Sequence, residues 1–490
     1  MKLGWKTLES ICSAGTAGAV RSAIRPSRTA IELTLNWLAI TFGSVFSVNL
    51  PHIFPSLPAV RLRDVPDLWN APNRTDPLAA HVRIPGSKSL TNRWLVLAAL
   101  SDGECRINHP LQARDTLLMA QALVALGSSV EIQDDAFVVT PGRTSEATQV
   151  DCGLAGTVMR FVPPISALCS STVRFDGDPQ ARIRPMNQII SALRDLDVEV
   201  TDDGRGTLPF TVVGKGFVPG GAVTIDASAS SQFVSALLLA GCRYDAGVSI
   251  IHSGSALPSM PHIDMSVEVL RELGIRVDVD IKDSTSATWT VHPGVPRSFD
   301  VTVEPDLSNA APFLAAALVC GGSVAIPDWP TQTTQAGNAL LDLLPKLGAT
   351  VSRPGNDLVV TGGSQINGID VDLHDVGELT PVIAALCALA TGPSTLRGIA
   401  HLRGHETDRL AALVTEINKL GGNATETPDG IHIKPATLHG GQFATYSDHR
   451  MAMAGAVLGL AVSDLVIEDI ATTSKTLPDF ANMWQEMVNA

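Results

Sequence analysis

The apolar residues of this chain gather into six long runs of similar make-up. They read WLVLAALSDGECRI, FVPPISALCSSTVRF, FVSALLLAGCRYDAGVSI, FLAAALVCGGSVAI, VIAALCALATGPSTLRGI and MAMAGAVLGLAVSDLVI, and begin at residues 94, 161, 233, 313, 382 and 451. Successive starts are 67, 72, 80, 69 and 69 residues apart. Each run pairs an Ala/Leu-rich helix with a Gly/Ser/Asp turn and a β-branched strand. A second phrase recurs between them: ALVALGSSVEI, ALRDLDVEV, VLRELGIRVDV, LLPKLGATV and EINKLGGNATE. It predicts an amphipathic helix, a C-cap residue that is usually Gly, and then a strand. The pattern predicts an α/β (α+β) protein of about six copies of one unit, each with two helices and several strands. Periods this long predict symmetric globular lobes, not a thin solenoid. Near-regular spacing across six copies argues against a chance recurrence of Ala-rich helices.

The polar residues just before each apolar run stand at equivalent places: GSKSLTNR, GLAGTVMR, ASASSQ, EPDLSNAAP, VGELTP and YSDHR. These are predicted helix N-termini, which offer unpaired N–H groups and a partial positive charge. Ser, Thr, Asp and Asn there cap the helix. Capping does not explain Lys88, Arg93, Arg160, His449 or Arg450, since cations at that end oppose the helix dipole. Six helix ends converging on one cleft would explain them, as an anion site of N–H groups, Arg and Lys. Two further segments carry cations with no capping role. DPQARIRP puts Arg182 and Arg184 two apart, on one face if the segment is strand-like. TSKTLPDF sets Lys475 just before a predicted last helix.

Charge and composition narrow the picture. The chain has 490 residues, enough for two or three domains, and a formal charge of −14. Residues 1–66 hold seven Lys/Arg against three Asp/Glu and are +4, which leaves −18 for the rest. That argues against a general nucleic-acid binder and requires any anion site to be a local cationic pocket. The seven cysteines are scattered and none forms a CxxC pair, so neither disulfide staples nor a zinc site is expected, and a reducing compartment fits best. HETDR at His405 lacks the second His of a zincin motif. In Gly86-Ser87-Lys88-Ser89 a Ser intervenes before the Lys, and His81 stands where a nucleotide phosphate loop needs its first Gly. No GxGxxG follows a strand. Residues 33–60 carry no charged side chain, and LTLNWLAITFGSVFSVNL reaches the lower limit for a membrane span. For this extension a misassigned start, with Val60 or Val65 as non-ATG candidates, ranks ahead of a targeting segment, and both rank ahead of a membrane anchor.

Six motifs, GSKSLTNR, LAGTVMR, SSQF, HETDRL, DHRMAM and SKTLPDF, stand in that order. From Leu68 to the C-terminus the chain resembles the 5-enolpyruvylshikimate-3-phosphate (EPSP) synthase family. The resemblance implies a two-lobed enolpyruvyl transferase fold of six βαβαββ units, three per lobe, with helix N-termini facing the cleft. It implies lobes of 87–303 and of 67–86 plus 304–490, crossed near Gly86 and near Val303, with residues 1–66 outside. The implied reaction joins shikimate 3-phosphate to phosphoenolpyruvate by addition–elimination, with no metal or organic cofactor, in a cytoplasmic monomer of the shikimate pathway. Its partners would be these two small molecules, with no nucleic acid and no membrane for the body.

Carried over by motif, Lys88 would touch both substrates and relay a proton. Ser89, Arg93, Ser230, Ser231, Ser259 and His405 would hold shikimate 3-phosphate, and Gln232 both substrates. Gly156, Arg184, Arg409, Arg450 and Lys475 would bind phosphoenolpyruvate. Glu378 would bind the shikimate ring and accept the 5-hydroxyl proton, and Glu406 is the second candidate for proton traffic. Plain Gly at 156 implies sensitivity to glyphosate, which occupies the phosphoenolpyruvate site in this family. The chain departs from the common pattern at His405 (often Lys), His401 (often Asn), His262 (often Tyr) and Leu154 (often Asn), which resembles an actinobacterial branch. His405 is then expected to add pH sensitivity near neutrality. Two alternatives stand beside this reading. The sister transferase that uses UDP-N-acetylglucosamine typically has a Lys-Asn pair and a reactive loop cysteine, whereas Arg93 is present here. An inactive anion-binding repeat protein would not need so complete a set of side chains.

Overall fold

The computed structural model describes residues 67–490, and Pro66–Ala490 forms one compact unit. The N-terminal extension, with its start, targeting and membrane readings, lies outside the described residues. Among the described residues no helix is long and apolar enough to cross a membrane.

Five of six small sheets repeat one plan. In the unit at 221–291, Gly221–Ile225 and Val248–Ser253 pair in parallel. The hairpin of Val277–Asp283 and Ser286–Val291 adds to Val248–Ser253 antiparallel. Helices follow the first and second strands, which makes the unit βαβαββ. The units at 148–213 and 370–434 have the same strand order. Two others borrow their first strand from far along the chain. Cys105–Asn108 pairs in parallel with Asp300–Thr302, and Gly322–Ile326 with Leu78–His81. The sixth sheet differs from the repeat, having three strands. There Leu68–Asn70 pairs antiparallel with Leu465–Glu468, in place of the hairpin.

The first helix of each unit is its centre: α1 (Lys88–Leu100), α2 (Gly156–Ser166), α3 (Gln232–Gly241), α4 (Leu307–Cys320), α5 (Thr380–Ala388) and α6 (His449–Ala461). All are buried along almost their whole length. A helix enclosed on every side is apolar all round, which is why these runs are Ala/Leu-rich with no polar face. Their Ala and Gly residues let neighbours pack closely. The second helices show one buried face. They end in the left-handed turn expected of them, at Gly127 (φ 102°), Asp197 (62°), Gly274 (85°), Gly348 (105°) and Gly421 (88°).

The buried apolar residues form two separate clusters. One runs from Leu90 to Val303 around α1–α3. The other joins Leu78–Ile84 to Leu307–Val488 around α4–α6. The chain passes between them at two adjacent points. Gly86 and Pro305 form an antiparallel bridge, Ser87 N donates to Glu304 O (2.7 Å), and Asp306 N donates to Pro85 O (2.9 Å). A Cβ on Gly86 would lie 2.2 Å from His109 O, so no larger residue fits there.

Candidate active site

The core helices start one to six residues before the apolar runs, so motif residues lie at their first turns. Lys88 is the first residue of α1, Gly156 of α2, Gln232 of α3 and His449 of α6. Ser87 caps α1 and Asp306 caps α4, where Asp306 Oδ1 accepts from Asn309 N (2.9 Å). The other Asp306 oxygen accepts from Lys88 N (3.0 Å), which ties the two helix starts together.

These starts enclose a cavity of about 60 Å³. Lys88, Gly156, Arg184, Ser230, Gln232, Glu378, His405, Glu406, Arg409 and Arg450 line it. A second cavity of about 10 Å³ is lined by Ser89, His262, Asp306 and Gln335 among others. Lys88, Glu378 and Arg450 belong to both. Lys475 sits behind the larger cavity, buried, with Nζ 2.5 Å from Glu406 Oε1.

The cationic side chains fall into two groups. Arg409 is anchored: it donates from Nε and Nη2 to Asp448 (2.8 and 3.3 Å) and from Nη2 to Glu406 (3.0 Å). Arg184 is not. It is buried, yet its Nε and Nη1 have no hydrogen-bond partner, and Arg160 Nε lacks one too. Arg160 Nη1 donates to Gln232 Oε1 (2.7 Å), and burial, then Arg184, push its guanidinium down to about 9. Unpaired buried cations of this kind need an anion. A Cβ on Gly156 would meet Arg160 Nη1 at 3.1 Å and Arg184 Nη1 and Gln232 Oε1 at 3.3 Å, so the bare backbone lets these side chains converge.

Glu378 and Glu406 are ionised. Burial opposes the charge on Glu378. It is outweighed by His262, whose Nε2 is 3.3 Å away, then Arg450 and Lys88, and the carboxyl lies well below its usual range. Burial likewise opposes the charge on Glu406, and Lys475, Arg409 and Arg184 hold it well below its usual range.

Several expectations change. Arg93 does not reach the cavity. It is 1% exposed, and its guanidinium donates to Ser266 Oγ (2.8 Å), Ser89 O (3.0 Å), Ser235 Oγ (3.3 Å) and His262 O (2.7 Å). Ser231 is buried at the start of α3, and Ser259 lies outside both linings, its N–H donating to His374 O (3.2 Å). Arg182 and Arg184 do not share a face. Ala181–Ile183 is a 3₁₀ turn, which rotates neighbours two apart away from each other. Arg182 pairs with Asp176 at the surface (2.8 Å), while Arg184 turns inward. His405 is not poised near neutrality. Burial, then Arg409, keep its imidazole well below the ordinary range, with His401 and Arg184 adding to this.

The cavity also includes residues given no role from the sequence. Asp115 is 2% exposed, with Oδ2 3.8 Å from Lys88 Nζ. It stands in the first turn of the helix Arg114–Ala125, where an acid also favours the helix dipole. Arg160 and His449 were marked only as cations that capping leaves unexplained. Thr157 accepts from Asn92 Nδ2 (3.0 Å), a pairing no local pattern announces.

Cations around a closed pocket, two ionised carboxylates and helix starts from two cores define an enzyme that handles small polyanions. The family model for EPSP synthase (3-phosphoshikimate 1-carboxyvinyltransferase) matches residues 72–484. The chain is 54% identical over 436 residues to the 3-phosphoshikimate 1-carboxyvinyltransferase of Kocuria rhizophila, covering 86% of this chain and 97% of that one. Among solved structures it resembles EPSP synthase from Acinetobacter baumannii, with a TM-score of 0.71, 24% identity, and 86% and 97% of the two chains covered. It also resembles the enolpyruvyl transferase NikO from Streptomyces tendae, with a TM-score of 0.65, 17% identity, and 86% and 96% covered. At those identities the structures speak to the fold, which is that of the enolpyruvyl transferases. The chain belongs to the EPSP synthase family.

Proposed function

We propose that this protein transfers the enolpyruvyl group of phosphoenolpyruvate to the 5-hydroxyl of shikimate 3-phosphate, giving EPSP and phosphate. Family membership and the identity to the Kocuria enzyme support the reaction. The observation that carries the site is the unpaired buried guanidinium of Arg184 beside Arg160, Arg409 and Arg450 around one cavity. That half of the site takes phosphoenolpyruvate, with Lys475 fixed behind it by Glu406. The half with Ser89 and His262 takes shikimate 3-phosphate, which Ser230 reaches from the wall of the larger cavity. Lys88 and Glu378, common to both cavities, stand where the substrates meet.

Glu378 accepts the proton of the 5-hydroxyl as its oxygen adds to C2. Its depressed basicity comes partly from Arg450 and Lys88, whose charges bound phosphate and carboxylate offset. Lys88 supplies a proton to C3, and the surrounding cations stabilise the tetrahedral intermediate. Elimination gives a C3 proton to Glu406, which returns it across the shared cavity to Lys88. Glu378 passes the hydroxyl proton to the departing phosphate, so all three groups end in their starting states and the two steps balance.

A cavity of about 60 Å³ holds only a few waters. The substrates therefore enter when the lobes 87–303 and 67–86 plus 304–490 part about the strands bridged at Gly86 and Pro305. The protein works as a cytoplasmic monomer. Phosphate release tests this reading, with phosphoenolpyruvate and either shikimate 3-phosphate or UDP-N-acetylglucosamine as acceptor. Turnover with the first alone is expected, and a fall of about 10²–10⁴-fold for Lys88→Ala and Glu378→Gln. Turnover with the second acceptor, or unchanged turnover in both variants, would overturn it.

A further inference from the structure

The helices α1, α2 and α3 start at the active site and end together at the opposite side of their core. There a third cavity, of about 360 Å³, opens, lined by Leu100, Pro141, Leu168, Phe217 and two arginines, Arg143 and Arg243. Helix C-termini attract cations, and this accounts for part of Arg143, whose Nη1 donates to Ala99 O and Gly142 O (both 3.1 Å). It does not account for Arg243. The Nη1 of Arg243 is buried and has no hydrogen-bond partner. Neither guanidinium forms an ion pair among the described residues, although Asp245 lies in the same wall. The two arginines also feel each other: burial, and then the facing Arg243, hold Arg143 below the usual arginine range.

We propose that this cavity is a second ligand site, which takes an organic monocarboxylate with an apolar, ring-sized body. The guanidinium forks match a carboxylate in geometry. Two cations facing one acid leave a single positive charge to neutralise, which selects a monoanion over a phosphate dianion. The half-exposed ring of Phe217 gives the apolar body its contact surface, over a floor in which Leu100 and Leu168 are buried. None of these residues lines the catalytic cavities.

Calorimetric titration of the full chain with 3-phenylpropionate tests the proposal. Neutral 3-phenylpropionamide and inorganic phosphate serve as comparison probes, and Arg143→Gln and Arg243→Gln as variants. Expected is saturable one-to-one binding of 3-phenylpropionate, at least tenfold weaker in each variant. The amide and phosphate should bind at least tenfold more weakly at this site, and both variants should turn over substrate within twofold of the wild type. The absence of saturable binding overturns the proposal. So does equal affinity in the variants, or phosphate bound as tightly as 3-phenylpropionate. Loss of turnover together with binding also counts against it, since that would make the arginines supports of the fold.

Discussion

His405 gives the sharpest test of the site's electrostatics. Its Nδ1 lies 3.2 Å from Arg409 Nη1, a nitrogen that can only donate, so Nδ1 carries the lone pair and the ring is neutral with its proton on Nε2. Protonating Nδ1 would bring a second cation against Arg409. Two unit charges about 4 Å apart repel by about 4 kcal/mol at an effective dielectric constant of 20. The lost hydrogen bond adds about 1–3 kcal/mol. Glu406 pulls the other way, but Lys475 and Arg409 already occupy it at 2.5 and 3.0 Å. The free enzyme should therefore show no ionisation of His405 between about pH 6 and 9. The assay is kcat/KM for phosphoenolpyruvate against pH, for the wild type and for His405→Gln, which keeps an acceptor without a titrating ring. The two profiles should have the same shape over that range. A limb with its midpoint near the ordinary imidazole value, present in the wild type and lost in His405→Gln, would refute the reasoning.

Stability should be acid-sensitive through His401, His405 and His449. Burial pushes His401 down to about 4 and holds the other two well below the ordinary 6.5, so each takes up a proton on unfolding. Their stabilisation is full above pH 6.5 and drains away below it, by up to about 4 kcal/mol per pH unit for three protons, before Glu378 and Glu406 begin to titrate. Equal urea midpoints at pH 7 and 5.5 would contradict this. Gly156→Ala places a methyl at 3.1–3.3 Å from Arg160, Arg184 and Gln232. Overpacking of about 1–3 kcal/mol should raise KM for phosphoenolpyruvate roughly tenfold and weaken glyphosate inhibition, while KM for shikimate 3-phosphate stays level. Steady-state kinetics with each ligand varied decides it, and unchanged constants would sink the idea. Asp448→Asn breaks a fully buried pair with Arg409 and should cost about 3–5 kcal/mol in urea unfolding, with a higher KM for phosphoenolpyruvate. An unchanged unfolding midpoint would show that Arg409 has another anchor.

The chain's own pattern determined much of this protein. Six apolar runs predicted six Ala/Leu-rich helices, and the structure explains their lack of a polar face: each is enclosed on all sides, and burial of that kind leaves its mark on every residue of a helix. The Gly or Asp closing each amphipathic helix was legible because a left-handed turn restricts which residues fit. Lys88, Gly156, Gln232, Arg409 and Arg450 were legible because each belongs to an ordered motif at a helix start. The strands that complete two units were not. Leu78–His81 and Asp300–Thr302 pair with partners more than 190 residues away, and alternation along a strand does not say which strand lies beside it. Nor did the motif show that Arg93 is buried with hydrogen bonds to Ser89, Ser235, His262 and Ser266, or that His405 is held neutral. Local sequence fixes which groups carry charge and which way the chain turns. Only the tertiary structure decides which charges share a dry pocket, and the strength of a buried charge depends on those neighbours and on the water they exclude.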